Sequence, residues 1–322
     1  MDMQYLLWLQ GLRESYGGLE FFFNLITAIP KSPISAIIPG ILFWCISRRA
    51  GLFLLFVASF GRLVNILIKD TFCVYRPWIL DSEINPAGDA MKKASSYSFP
   101  SGHTQFATAI YGGLAYIYRK KYPLLIIPCA LIILTVALSR NFLGVHTPQD
   151  VLVAMIETLA VIFLAGKLFD RMERDKIFEQ NAFVAGIIFT VIAAIYIFAK
   201  SYPIDYLDGK IIVSATAAKL DSIDSIGGTL GFLIGAALEQ KFINFSTNVD
   251  IGVKIRRVII GGIVGGAAMV LLLLIKLTGF KFFYEFCKGF MPFISITFLA
   301  PYAFNYLENK TRFKFKKLGN RF

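Results

Sequence analysis

The sequence predicts an all-α, polytopic transmembrane helical bundle, and three observations carry that prediction. Of its 322 residues 56% are apolar and 17% charged, with a mean hydropathy of +0.63, against roughly 45–50% and about 25% for an average soluble domain. Five stretches of at least 18 residues hold no Asp, Glu, Lys or Arg: 94–118, 122–139, 180–199, 258–275 and 289–307. The charged residues collect between such runs, as they do in proteins that cross a bilayer. This composition excludes a disordered chain, a collagen-like fibre and a disulfide-stapled miniprotein. Cys45, Cys73, Cys129 and Cys287 are too few and too scattered for a disulfide framework or a zinc ligand set.

A spanning helix takes about 20 mostly apolar residues. Residues 1–31 mix leucines and aromatics with Arg13, Glu14, Gly17, Gly18 and Glu20, which predicts interfacial helices. Met1–Gln10 lacks the basic region that opens a signal peptide. Residues 32–170 form a core of spans. Run 32–47 spans only marginally, 50–68 is broken by Arg62, and 94–118 spans only in its later part because it opens on a polar, proline-containing stretch. Run 122–139 is uninterrupted, and 151–166 is broken by Glu157. Residues 171–322 form an extension with spans at 180–199, 258–275 and 289–307, a marginal one at 225–238, and a basic tail. The total is about nine spans. A soluble fold would need as many fully buried helices and almost no amphipathic ones.

The formal net charge of +12 suggests nucleic acid in a soluble protein. Here it reads as orientation. Taking alternate connections places Arg48 and Arg49, 119–121, the basic residues of 167–176 and of 241–257, and the tail from Lys310 to Arg321 on one side. The other side holds fewer: Lys69, Arg76, Lys92, Lys93, Arg140, Lys200, Lys210, Lys219, Lys276, Lys281 and Lys288. The richer side is cytoplasmic by the positive-inside rule.

Three segments fall at outer ends of spans: Lys69-Asp70-Thr71-Phe72-Cys73-Val74-Tyr75-Arg76-Pro77, Ser98-Phe99-Pro100-Ser101-Gly102-His103, and Ser139-Arg140 through His146 to Asp150. Both histidines of the chain lie in them. Three cations converging where spans end suit a phosphate oxyanion, and Arg76 and Arg140 can bind it bidentately. Pro100-Ser101-Gly102 opens a helix whose free N–H groups favour an anion. His146 and Asp150 are four residues apart, so the carboxylate can orient an imidazole that attacks phosphorus while a second imidazole protonates the leaving oxygen. The cations supply the charge stabilisation, so this chemistry needs no metal and no cofactor.

The three segments resemble the KX6RP, PSGH and SRX5HX3D motifs of the type 2 phosphatidic acid phosphatase superfamily, which is related to the vanadium haloperoxidases. All three match without gap or substitution, in order, and the resemblance covers about residues 30–170. Beyond it the chain has a looser similarity to longer members with extra C-terminal spans, such as the sphingosine-phosphate phosphatases. The resemblance implies that His146 is the nucleophile of a phosphohistidine and Asp150 its orienting acid. It implies that His103 is the general acid, and that Lys69, Arg76, Ser101, Gly102 and Arg140 hold the phosphate.

Plainer readings stand beside these. Both histidines can be structural. Thr147-Pro148-Gln149-Asp150 has the layout of a helix start, so Asp150 can be a cap residue and Ser101 likewise. Cys73 reads as packing, with a bridge to Cys287 as an outer-side option. Arg62 lies seven residues before Lys69, and Glu157 seven after Asp150. Each is thus on its motif's helix face and about 10 Å deeper, which predicts a buried Arg62–Glu157 ion pair, joined by Asn65, beneath the site. Gly227, Gly231 and Gly235, with Gly261/Gly265 and Gly262/Gly266, recur every four residues and suit close helix packing, internally or in a homodimer. Asp224 before Ser225 reads as a cap, and residues 200–222 as an outer loop over the site.

The sequence therefore predicts a membrane lipid phosphatase acting on a phosphate monoester or diphosphate whose tail stays in the bilayer. The alternatives are a phosphotransferase using the same phosphohistidine and a non-catalytic lipid-phosphate binder or transporter; a vanadate-dependent oxidase is a remoter one. The C-terminus shows no retrieval signal, which points to a bacterial plasma membrane with the site on its outer face.

Overall fold

The computed structural model describes residues 2–28, 33–91, 94, 96–207 and 209–319, with side chains for all but 33–36 and 310–319. Lys92, Lys93, Asp208 and the side chains of the basic tail fall outside these described residues. Two short helices, α1 (Asp2–Ser15) and α2 (Gly17–Ala28), are followed by α3 (Pro33–Ile41), which continues through a π-helical turn, Leu42–Ile46. Next come α4 (Arg48–Phe72) and the single turn α5 (Pro77–Leu80). Helices α6 (Gly102–Ala107) and α7 (Gly113–Tyr118) form one rod through a second π-helical turn, Thr108–Gly112. Helices α8 (Ile126–Phe142), α9 (Pro148–Arg174) and α10 (Lys176–Ala199) follow. A two-residue hairpin, β1 (Tyr206–Leu207) with β2 (Lys210–Ile211), precedes α11 (Ala215–Phe242) and α12 (Ile251–Leu277). The last rod is α13 (Lys281–Ile294), a third π-helical turn and α14 (Ala300–Gly319).

Each apolar run of the sequence supplies one of these helices or rods, with 94–118 helical only from Gly102. Among the described residues six are long and apolar enough to cross a membrane: Arg48–Leu80, Pro123–Phe142, Pro148–Arg174, Lys176–Ala199, Ile251–Leu277 and Lys281–Asn309. The other three expected spans differ for physical reasons. The α3 and α6–α7 rods are short. Helix α11 is long enough, but carries Asp221, Ser222, Asp224 and Ser225. It can do so because it is wrapped by α4, α10 and α13 and meets those helices in place of lipid.

The glycines of α11 explain that packing. An added Cβ at Gly227 or Gly231 would lie 2.3 or 2.4 Å from the backbone oxygens of Phe286 and Phe290 on α13, and one at Gly235 would strike Thr297. The stripe is used internally. Gly262, Gly265 and Gly266 on α12 have nothing within 4 Å of such an atom. The expected outer loop 200–222 ends as helix: Ser214 caps α11 by accepting from the Ala217 N–H at 3.1 Å, so residues from 215 onward are wound. All four cysteines are buried and free, so the Cys73–Cys287 option is not realised.

At the end of the bundle that is richer in Lys and Arg, many of the basic residues are paired. Arg48 binds the buried Glu239, Arg49 binds Asp170 and Glu173, and the buried Arg257 forks onto Glu308 at 2.8 and 2.9 Å. The Arg48–Glu239 pair ties α4 of the core to α11 of the extension, while the other two brace α4 on α9 and α12 on α14. At the opposite end α1 and α2 pack on α8, with the buried Arg13 donating to the backbone oxygens of Phe142 and Asn85.

Candidate active site

Each of the three polar segments is delivered by a helix end, and each end has a local cause. Helix α4, at 25 residues about 37 Å long, starts on Ser47, which accepts from the Ala50 N–H. It stops at Cys73, whose left-handed backbone (φ 50°) turns the chain while its N–H closes onto the Lys69 oxygen at 2.9 Å. That turn places Lys69 at the rim and leads into Arg76. Helix α8 ends just past Arg140. Gly144, at φ +70° against Pro86, then bends the chain back so that the Val145 N–H reaches the Arg140 oxygen. A left-handed residue packed there suits glycine. Helix α9 begins on a capping box, with Thr147 Oγ1 accepting from the Asp150 N–H and Asp150 Oδ2 accepting from the Thr147 N–H at 2.8 Å. The Ser98 N–H donates to the Val74 oxygen and the Ser101 N–H to the Asp150 oxygen, which ties all three segments into one wall.

His146 is 2% exposed at the centre of that wall. Its Nδ1 lies 3.2 Å from Asp150 Oδ2, and its Nε2 lies 3.1 Å from an Arg76 guanidinium nitrogen. A carboxylate only accepts and a guanidinium only donates. The two contacts therefore assign the ring: the proton sits on Nδ1 and the lone pair on Nε2. Asp150 Oδ2 also accepts from Ser98 Oγ at 2.5 Å, and Asn141 Nδ2 donates to the His146 oxygen at 2.8 Å. Arg76 is braced by Ser96 and Val145, whose oxygens accept at 2.9 Å each.

Lys69, Arg76, Arg140, Gly102, His103 and His146 line one cavity of about 100 Å³. Arg140 donates to Thr27 Oγ1 of α2 at 2.6 Å, while its Nε is buried with no hydrogen-bond partner among the described residues. Such an unpaired buried donor is costly unless an acceptor arrives. A Cβ added to Gly102 would meet nothing within 4 Å, so the helix N-terminus opens directly on the cavity. Ser101 is fully buried behind it and accepts from Thr104 Oγ1 at 3.1 Å. Beside the site Tyr97 and Tyr202 are buried, and burial pushes both phenols above their usual value; the Asp70 carboxylate adds to this at Tyr202. Both stay protonated at neutral pH.

The structure brings together all eight residues of the three segments named as site candidates, and it corrects the ninth and tenth. Arg62 and Glu157 have different partners. The Arg62 guanidinium binds Asp224 at 2.6 Å, Asp221 at 3.4 Å and Ser225 at 2.9 Å, all on α11, while Glu157 accepts from Asn65 Nδ2 at 2.6 Å. Residues three apart on a helix point about 60° away from each other, so α4 turns Asn65 toward α9 and Arg62 toward α11. Asp224, expected as a cap, is thus a mid-helix ion-pair partner. Sequence reasoning also missed Ser98, Ser96 and Asn141 as supports. Ser98 and Asn141 stand inside the quoted segments, which was the available signal. Asp221 lines the same cavity from the extension; it falls within residues 200–222, expected over the site as a loop, and reaches it from helix α11.

A polytopic membrane protein with a cationic, histidine-bearing anion site at one end of its bundle is thereby defined. A family model for the PAP2 superfamily matches residues 50–174, and one for the transmembrane extension of PAP2 superfamily phosphatases matches residues 223–312. Phosphatidylglycerophosphatase B of Bacillus subtilis (strain 168) is 34% identical over 156 residues, covering 46% of this chain and 71% of that protein. The crystal structure of the first transmembrane PAP2 type phosphatidylglycerolphosphate phosphatase from Bacillus subtilis aligns over 49% of this chain and 79% of that one, at 30% identity and a TM-score of 0.41. The chain belongs to the PAP2 superfamily, as a multi-pass member that carries the transmembrane extension.

Proposed function

We propose that this protein hydrolyses a lipid phosphate ester through a phosphohistidine at His146. The observation that carries the reading is the tautomer of that ring, with Nδ1–H held by Asp150 and the Nε2 lone pair on the cavity side beside Arg76. A phosphate entering among Lys69, Arg76, Arg140 and the α6 N-terminus competes for the Arg76 N–H and releases the lone pair. Nε2 then attacks phosphorus and the P–O bond to the lipid breaks. His103, in the same cavity, gives its proton to the departing alkoxide. Positive charge grows on the ring, and Asp150 stabilises it. Water next attacks phosphorus, His103 takes a proton from it, the P–N bond breaks, and inorganic phosphate leaves.

The substrate is a lipid because the site stands at the end of membrane-crossing helices, where the tail can remain in the bilayer while the head enters. Phosphatidylglycerol phosphate is the first lipid to test, since a relative is a phosphatidylglycerophosphatase. The excess of Lys and Arg at the opposite end of the bundle supports an outward-facing site, and the Bacillus relative supports a bacterial plasma membrane.

The test is a phosphate-release panel over lipid phosphates in mixed micelles, with His146→Ala as control and rapid quenching of phosphate-labelled lipid. Wild type forms a protein-bound label that is acid-labile and alkali-stable, and His146→Ala forms none. Release from no lipid overturns the reading. Transfer of label to a second lipid without free phosphate assigns a phosphotransferase instead.

A further inference from the structure

Arg140, which holds phosphate on the proposed mechanism, is itself held by a part of the chain outside both matched regions. Its Nη1 donates at 2.6 Å to Thr27 Oγ1, on α2. Phe23 and Thr27 are one turn apart and share the face of α2 that meets α8. Phe23 is buried there, with its ring centroid 4.2 Å from that of Phe142. Phe21 and Leu25 stand two residues to either side of Phe23, about 200° round the helix, and both are exposed. A helix apolar on opposite faces needs an apolar neighbour on each, here protein on one side and lipid on the other. Helix α1 completes the arrangement. Its buried Arg13 donates to the Phe142 oxygen at 2.8 Å, which sets a cation against the C-terminal end of α8. Leu9 packs with Phe23, Phe142, Leu143 and Val145. The α1–α2 hairpin thus grips the turn that runs from Arg140 to His146.

The grip bears directly on anion binding. A guanidinium carries its N–H donors in one fixed plane. Thr27 takes a donor on Nη1, while Nε is buried with no hydrogen-bond partner among the described residues. Anchoring one edge of a rigid plane fixes the direction of the others, so the Thr27 contact holds Arg140 in one orientation at the cavity wall. A guanidinium without that anchor would lose rotamer freedom each time an anion bound, at a cost in affinity. We infer that Thr27 is a positioning residue of the phosphate site, acting through Arg140, and that the α1–α2 hairpin is a working part of that site. The inference rests on Arg140 holding phosphate in the phosphatase reading, and adds to it a residue that none of the three segments contains.

The experiment titrates the full-length protein in lipid nanodiscs with orthovanadate, a tetrahedral oxyanion like phosphate, by calorimetry. In parallel, kcat and KM are measured for phosphatidylglycerol phosphate. Thr27→Val keeps the side-chain shape and removes the acceptor. It binds vanadate about tenfold more weakly, the size of one hydrogen bond to a charged group, and raises KM while kcat changes little. Thr27→Ala, which removes the hydroxyl and adds nothing, gives the same loss. Thr27→Ser keeps the hydroxyl and restores wild-type affinity and KM. In an Arg140→Gln background, Thr27→Val changes vanadate affinity by less than about twofold, because the residue through which it acts is gone. Wild-type affinity in Thr27→Val and Thr27→Ala, failure of Thr27→Ser to restore it, or an equal loss in the Arg140→Gln background overturns the inference. Wild type that binds no vanadate overturns it as well. Release of phosphate from no lipid overturns the phosphatase reading, and the vanadate titrations then decide the role of Thr27 alone.

Discussion

Replacing Arg62 by leucine isolates the interaction that joins the catalytic helix to the extension. The substitution removes a guanidinium 2.6 Å from Asp224 and 3.4 Å from Asp221, and leaves two carboxylates facing an apolar side chain. Breaking a fully buried pair costs about 3–5 kcal/mol. Here the side chains are 31% and 15% exposed, so solvent screening reduces the expected cost to roughly 2 kcal/mol. Asp224→Leu costs a similar amount, since it leaves the guanidinium with Ser225 and only the longer charged contact to Asp221. The double variant loses little beyond either single one, giving a coupling of about 1–2 kcal/mol. Reversible unfolding of the four proteins in mixed micelles measures this directly. Simple additivity of Arg62→Leu and Asp224→Leu would refute the argument, as would a comparable coupling between Arg62 and Glu157. Glu157 itself tolerates Gln at under about 1 kcal/mol, because the amide oxygen still accepts from Asn65 Nδ2.

Other consequences are equally open to measurement. Asp150→Asn keeps an oxygen to cap α9 but cannot fix the Nδ1–H tautomer, so kcat falls by roughly 10³–10⁴ with a much smaller change in KM, visible in phosphate-release kinetics. Ser98→Ala removes the 2.5 Å support of that carboxylate; kcat drops roughly tenfold while KM holds. Gly144→Ala forces a Cβ into a left-handed residue at φ +70° and costs about 1–2 kcal/mol, read as a lower midpoint of thermal unfolding.

The layout of the candidate site was more legible in the sequence than the assembly around it. Lys69 with Arg76, and Arg140 with His146 and Asp150, are linked by short fixed spacings, and those spacings are what a helix end or a tight turn converts into geometry. The Thr147–Asp150 capping box was readable for the same reason. Both are local properties. The depth of Arg62 and Glu157 was also readable, because rise along a helix is fixed; their partners were not. Which face of α4 meets α9 and which meets α11 depends on how three helices pack, and no period within one helix encodes that. Asp221 and Asp224 lie some 160 residues from Arg62, so only the folded bundle makes them neighbours. The polar α11 was hard to recognise as a full-length helix for a related reason: its solvent is other helices, and hydropathy measures affinity for lipid.

The contacts between α4 and α11 limit how this protein can be taken apart. The two matched regions, 50–174 and 223–312, lie apart in sequence like exchangeable cassettes. Yet Thr229 donates to the Ser59 oxygen, Ser225 and Asp224 hold Arg62, and Ser222 donates to the buried Asp70. Cutting after the first region would turn Arg62 and Asp70 toward hydrocarbon. Grafting the second onto a different core would leave Asp221 and Asp224 without their arginine. A working chimera must therefore transplant one face of α4 along with the extension, so the recombination boundary runs lengthwise down a helix and not across a loop.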